Sequence, residues 1–180
     1  MKVTELHANH VWKASPGCRI LVLDGGAVRC DIPDSWVISP RDSHVLLWES
    51  RPTHSRSALG ISWHRVPAES FEIPLPMILA HGAATETRQI QERGSIQRVI
   101  RPPLEIVWLQ FRVLDSTDNR EMCVRMCVGR AATTQAVLLF EFAPEDELRL
   151  FNAWQTVLNT LVLGEYISDP ATGVRYEQRG

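Results

Sequence analysis

Apolar and polar residues alternate with a period of two along most of this chain, and two stretches switch to the three- and four-residue spacing of a helix. In CRILVLDGGAVRCDIP, apolar runs flank Asp24-Gly25-Gly26, and glycines accept positive φ without a Cβ clash, so a hairpin is expected. SHVLLWES follows, then SALGISWHRV, where Leu59, Ile61 and Trp63 alternate with Gly60, Ser62 and His64 as in a half-buried strand. Pro52, in the turn between them, cannot donate to a ladder. Further on, Val107, Leu109, Phe111 and Val113 alternate with Trp108, Gln110 and Arg112, and Met122, Val124, Met126 and Val128 with Cys123, Arg125 and Cys127. AVLLFEF is apolar on both faces and belongs near the centre of a sheet. The short linkers STDN and ATTQ predict a meander of antiparallel neighbours.

The first helical stretch runs from Leu75 to Arg93, with Pro74 and Pro76 at its start and Gly94 just beyond its end. Met77, Ile78, Leu79, Ala80 and Ile90 are expected to dock it on a sheet, with Glu86, Arg88 and Glu92 towards water. The second opens at Pro144 with Glu145, Asp146 and Glu147, acids that complement the helix dipole. Its apolar face reads as Leu148, Phe151, Trp154 or Gln155, Leu158 and Leu161, and Gly164 is expected to end it in a left-handed conformation. Strands cluster instead of alternating with helices. The expected fold is therefore α+β, a mainly antiparallel sheet of about six strands packed with helices. A single domain, 1–180, is expected, with a core over about 19–163 and a polar tail over about 165–180.

Composition narrows the function without naming it. Hydrophobic residues make up 44% and charged residues 22%, ordinary for a globular chain. A net charge of −2 with scattered basic residues gives no field that favours nucleic acid or an anionic membrane. No apolar run of signal-peptide or membrane-spanning length occurs, so a cytoplasmic protein is expected.

Reactive motifs are missing. Ser57, Ser62 and Ser70 lack the context of a nucleophile elbow, and DGGAVR lacks the extension of a phosphate loop. Cys123-x3-Cys127 lies in a strand pattern without a second ligand pair, so Cys18, Cys30, Cys123 and Cys127 read as structural thiols. His7-x-x-His10 has no acid or thiol at ligand spacing, and His44 and His54 flank turns. No catalytic residue, metal site or cofactor is expected.

AVRCDIPDSW, with Ile32, Pro33 and Trp36, leads into the strands HVLLWES and ALGISWHRV and then a long helix. VWLQFRV, MCVRMCV and VLLFEFAPEDE follow, running into LFNAWQTVLNTLVL. Over roughly residues 26–162 this order resembles the PsbP-like family. That family includes the photosystem II extrinsic protein, a yeast Ran-binding nuclear import factor, DcrB-type lipoproteins and the Eag chaperones of type VI secretion. The resemblance implies an α/β/α sandwich whose known members mostly bind other proteins.

A non-enzymatic protein-binding module, adaptor or chaperone-like, is accordingly expected, and it is expected to pair with a second copy. The sheet face carrying Trp108, Arg112 and Arg125, joined by Trp63, is the candidate partner surface, because an aromatic ring beside arginines is a composition enriched in interfaces. On this reading Arg112→Ala and Arg125→Ala should leave the melting temperature nearly unchanged. In the competing arrangement the middle helix or the N-terminal segment covers this face, with Trp108 in the core and the arginine stems along it. The alternative function is a small-molecule-binding protein or enzyme with a pocket around His44 or His64.

Overall fold

The computed structural model describes all residues except 7–9, 11, 51–55, 116–118, 170, 171, 173 and 176–180. Strands β1 (Cys18–Leu23) and β2 (Val28–Pro33) form the first hairpin. Its turn carries Asp24, Gly25 and Gly26 at φ of 45°, 68° and 106°. Gly26 is obligatory twice over, since a Cβ there would also lie 2.2 Å from the Glu165 carbonyl oxygen. At the other end of the hairpin the Trp36 amide donates to the Pro33 carbonyl at 3.1 Å. That turn drops the Trp36 ring into the core, 5.7 Å from the Phe140 ring.

The chain continues through β3 (Val37–Pro40), β4 (Val45–Trp48), β5 (Ala58–Arg65), a 3-10 turn at Ala68–Glu72 and helix α1 (Leu75–Ala84). Next come β6 (Gln89–Arg93), β7 (Gln97–Arg101), β8 (Leu104–Asp115), β9 (Arg120–Ala131) and β10 (Thr134–Phe142). A 3-10 turn at Pro144–Asp146 leads into α2 (Glu147–Thr160), followed by β11 (Val162–Leu163), β12 (Ile167–Asp169) and β13 (Val174–Arg175). The main sheet has order β3-β4-β5-β10-β9-β8-β6, with β7 also paired to β8. It thus has eight strands, not the expected six. As predicted, β10 lies inside it and β8, β9 and β10 form a meander of antiparallel neighbours.

One of the extra strands, β6, comes from the stretch read as one long helix, and β7 follows just beyond it. Helix α1 stops at Ala84, where the Thr85 amide and hydroxyl both donate to the Gly82 carbonyl, at 3.1 and 2.7 Å. Residues 89–93 then pair with β8, with a register shift between Ile90 and Glu92. A long neighbouring strand with a free edge offers ladder hydrogen bonds that outweigh the helical propensity of a short polar segment.

Three layers result. On one face of the main sheet, Leu75, Leu79 and Ala83 of α1 pack on Val107, Leu109, Phe111, Val113, Val124 and Val128. On the other, α2 and a small sheet of order β1-β2-β11 enclose the larger core, centred on Trp36, Phe140, Phe142 and Trp154. Helix α2 is rotated from its expected orientation. Leu150, Trp154, Val157 and Leu158 are buried, whereas Leu148 is 90% and Phe151 45% exposed. Gly164 has the expected positive φ of 72°, but it follows β11, because the chain is already extended at Leu161.

Candidate functional site: an open apolar trough

The strand registers place Trp108 opposite Cys127, Gln110 opposite Arg125 and Arg112 opposite Cys123, so the arginines and Trp108 share one face as the sequence predicts. Helix α2 covers that face together with the N-terminal hairpin, whereas the middle helix, the other expected cover, lies on the opposite face. Arg125 is only 2% exposed. Its Nε donates to Gln110 Oε1 at 2.7 Å, its Nη2 lies 3.5 Å from Glu147 Oε1, and its guanidinium stands 4.8 Å from the centre of the Phe142 ring. Burial pulls its pKa down, and Glu147 opposes that shift. Trp108 is half-buried, edge-on to Trp154 at 5.8 Å. Trp63 is also half-buried, packed on the same core with its Nε1 donating to Asp24 Oδ2 at 2.7 Å. Arg112 sits at the rim, 3.6 Å from Glu92 and 3.8 Å from Glu147. These residues tie helix α2 and the first hairpin to the sheet.

The described residues cover the opposite face only in part. Helix α1 seats on β8 and β9, and beside it an open trough of about 460 Å³ runs along β5. The registers build it directly. Leu46 of β4 and Leu139 of β10 both pair with Gly60, and Val137 pairs with Ser62. Gly60 and Ser62 thus form a floor of small residues, His44 and Leu46 one wall, and Val137 and Leu139 the other. Flanking strands lie ~4.8 Å from the floor strand on each side, so the walls stand roughly 10 Å apart at the backbone. Leu46, Val137 and Leu139 remain half-buried, the signature of an apolar layer lacking part of its cover.

The trough has unlike ends. At one end His64 meets Gln135 at 3.3 Å, and Gln135 accepts from Arg130 at 2.8 Å. At the other, Arg88 bridges Glu86 at 2.8 Å and Glu141 at 2.5 Å. The bidentate hydrogen bond from Arg88 holds the Glu86 carboxyl below its ordinary pKa.

No described element positions a base against a nucleophile here. Among the described residues, no group of three or more His, Cys, Asp and Glu side chains is placed to hold a metal ion. His7 and His54 lie outside the described residues. The four cysteines are free thiols, and burial pushes Cys30 up to about 12 and raises Cys127 as well. No described helix is long and apolar enough to cross a membrane.

Of the trough residues the sequence points only to His44, with His64 at the trough's end, as a possible pocket; the apolar walls and the floor are not singled out, although their signal is present. In ALGISWHR the alternate positions Gly60 and Ser62 look like a solvent face, whereas AVLLFEF is apolar on both faces. Only the pairing of those two segments shows that small residues lie beside large ones on one surface.

A three-layer arrangement of this kind, an antiparallel sheet between one short helix and one long one, is the PsbP-like fold. The solution structure of cyanobacterial PsbP (CyanoP) from Synechocystis sp. PCC 6803 matches 86% of this chain and 99% of its own, with a TM-score of 0.61 at 11% identity. A structure from Bacteroides thetaiotaomicron matches 84% of this chain and 52% of its own at the same TM-score, 0.61, and 10% identity. LpqN, involved in cell envelope biogenesis of Mycobacterium tuberculosis, gives a TM-score of 0.53 over 89% of this chain and 90% of its own, at 13% identity. Within that fold the chain belongs to the Alr1449 family, which matches residues 19–167. It is similar to the uncharacterized protein alr1449 of Nostoc sp. (strain PCC 7120), at 30% identity over 174 residues, 96% of this chain and 91% of that protein.

Proposed function

We propose that this protein is a non-enzymatic binding module, adaptor or chaperone-like, that receives an apolar segment of a protein partner in the trough along β5. The observation that carries this reading is the incomplete cover of the sheet: α1 occupies β8 and β9, while Leu46, Val137 and Leu139 remain half-buried beside it. A contiguous apolar surface on a folded domain marks an interaction site more often than a catalytic one. The fold itself argues for neither.

Recovery of a partner from the native host tests this, with wild type, Leu139→Glu and Arg112→Ala compared. One stoichiometric protein retained by wild type and Arg112→Ala and lost by Leu139→Glu is the expected result. Equal recovery by Leu139→Glu, with its melting temperature unchanged, would sink the proposal, as would the absence of any partner.

A second reading rests on Ser43, His44 and Ser62, polar groups that line the same trough. Its volume lies within the range of small-molecule sites, so a bound metabolite is the competing occupant. Native mass spectrometry of the freshly purified protein separates the two, since a small ligand adds a defined mass to the monomer.

A further inference from the structure

We infer that the occupant of the trough is an α-helix, seated beside α1 and antiparallel to it, with its N-terminus at Glu141. This inference rests on the binding reading above and specifies the partner's conformation and direction.

Conformation follows from where the trough lies. Strand β5 is interior, hydrogen-bonded to β4 on one side and to β10 on the other. Its backbone groups are therefore committed to those ladders. An extended peptide laid over it would bury N–H and C=O groups against Leu46, Val137 and Leu139 with nothing to bond. Addition of a strand is possible only at a sheet edge. A helix satisfies its own backbone internally, and a ridge of its side chains fits a furrow one small strand wide. The space also matches: helices pack about 8–10 Å apart, so the vacant strands are as wide as one more helix in the α1 layer.

Direction follows from charge. The 3-10 turn before α1 stands by Arg130, whose Nη1 donates to the Ile73 carbonyl at 3.2 Å, so α1 begins at the His64 end. It finishes near Glu86, which joins Arg88 and Glu141 at the other end. The Glu141 end therefore carries two carboxylates against one guanidinium, next to the negative pole of α1. A helix N-terminus carries partial positive charge and is stabilised there. Its C-terminal carbonyls then fall at His44 and His64, imidazoles able to donate to them.

The test uses the intact protein carrying a photo-cross-linking amino acid at Leu139 in one variant and at His64 in another. Both are irradiated in the native host, and the joined residues are mapped in the partner by mass spectrometry. Four residues of strand separate Gly60, beside Leu139, from His64, a distance of ~13 Å. A helix covers that span in about nine residues and an extended chain in about four. The expected result is a His64 cross-link roughly nine residues C-terminal to the Leu139 cross-link. A separation of about four, or the reverse order, overturns the helix or its direction while leaving the binding surface intact. No protein cross-link at either position removes the binding reading and the helix with it.

Discussion

Leu46 and Leu139 stand on opposite sides of Gly60, and a Cβ on that glycine would lie 3.6 Å from the Leu46 Cδ2 and 3.7 Å from the Leu139 carbonyl oxygen. Both are ordinary contact distances, and Gly60 does not have a positive φ. Gly60→Val should therefore fold, gain up to about 1 kcal/mol from strand propensity and fill the trough floor. Urea denaturation measures the first effect. Partner affinity, measured with purified components, should fall at least tenfold, and an unchanged affinity would count against the trough.

Arg125 and Arg112 should separate sharply in stability. Arg125→Ala removes a buried cation packed on Phe142 and hydrogen-bonded to Gln110, and is expected to cost about 3 kcal/mol. Arg112→Ala, at the rim, should stay within about 0.5 kcal/mol of wild type. Sequence alone puts both on one sheet face, and its exposed-surface reading expects small effects from both, so comparable small effects from the two would restore that reading.

The orientation of α2 makes a similar contrast between neighbours. Leu150→Ala opens a void in the main core and should cost about 2–5 kcal/mol. Leu148→Gln, on the outside, should change stability by less than about 0.5 kcal/mol. Equilibrium unfolding of the two variants decides which face is buried.

Acid should weaken the clamp at the end of α1. Glu86 has a folded-state pKa below its ordinary 4.5, so on acidification protons bind the unfolded chain first. Its contribution is complete above 4.5 and disappears as pH falls through the depressed value. Relative to wild type, Glu86→Gln should be less stable at pH 6, with the difference closing towards pH 3. A difference independent of pH over that range would show that the Arg88 hydrogen bonds do not act through charge.

Thiol chemistry gives an independent check on packing. Cys30, Cys123 and Cys127 are buried and only Cys18 is partly accessible. Its thiol too is raised, chiefly by desolvation and then by Asp31, so even this residue should react slowly near neutral pH. Ellman's reagent should find no more than one reactive thiol in the native protein and four in guanidinium chloride. Rapid reaction of two or more in the native state contradicts the core described here.

How much of this was legible beforehand depends on the range of each interaction. The hairpin at Gly25-Gly26, the β8–β9–β10 meander and the central place of β10 follow from alternation and turn chemistry, which are local. The boundary at Ala84 was hidden because Gln89–Arg93 takes its conformation from β8, a partner beyond the local window. The face of α2 was misread because Leu148 and Phe151 fit the same spacing as the buried set, and only the docking of Trp154 against Phe140 chooses between them. The apolar outline of the trough and the identity of the helix covering the arginine face are hidden for one reason. Which half of a sheet a ten-residue helix shields is a property of three layers together.

The interior position of β5 has one more consequence. A guest on the face of that strand thickens the molecule without lengthening the sheet, so it exposes no fresh ladder to a third chain. On the proposed binding, occupancy would therefore be self-limiting: each copy would take a single guest, and the product would be a finite complex with a saturable titration instead of a growing fibre.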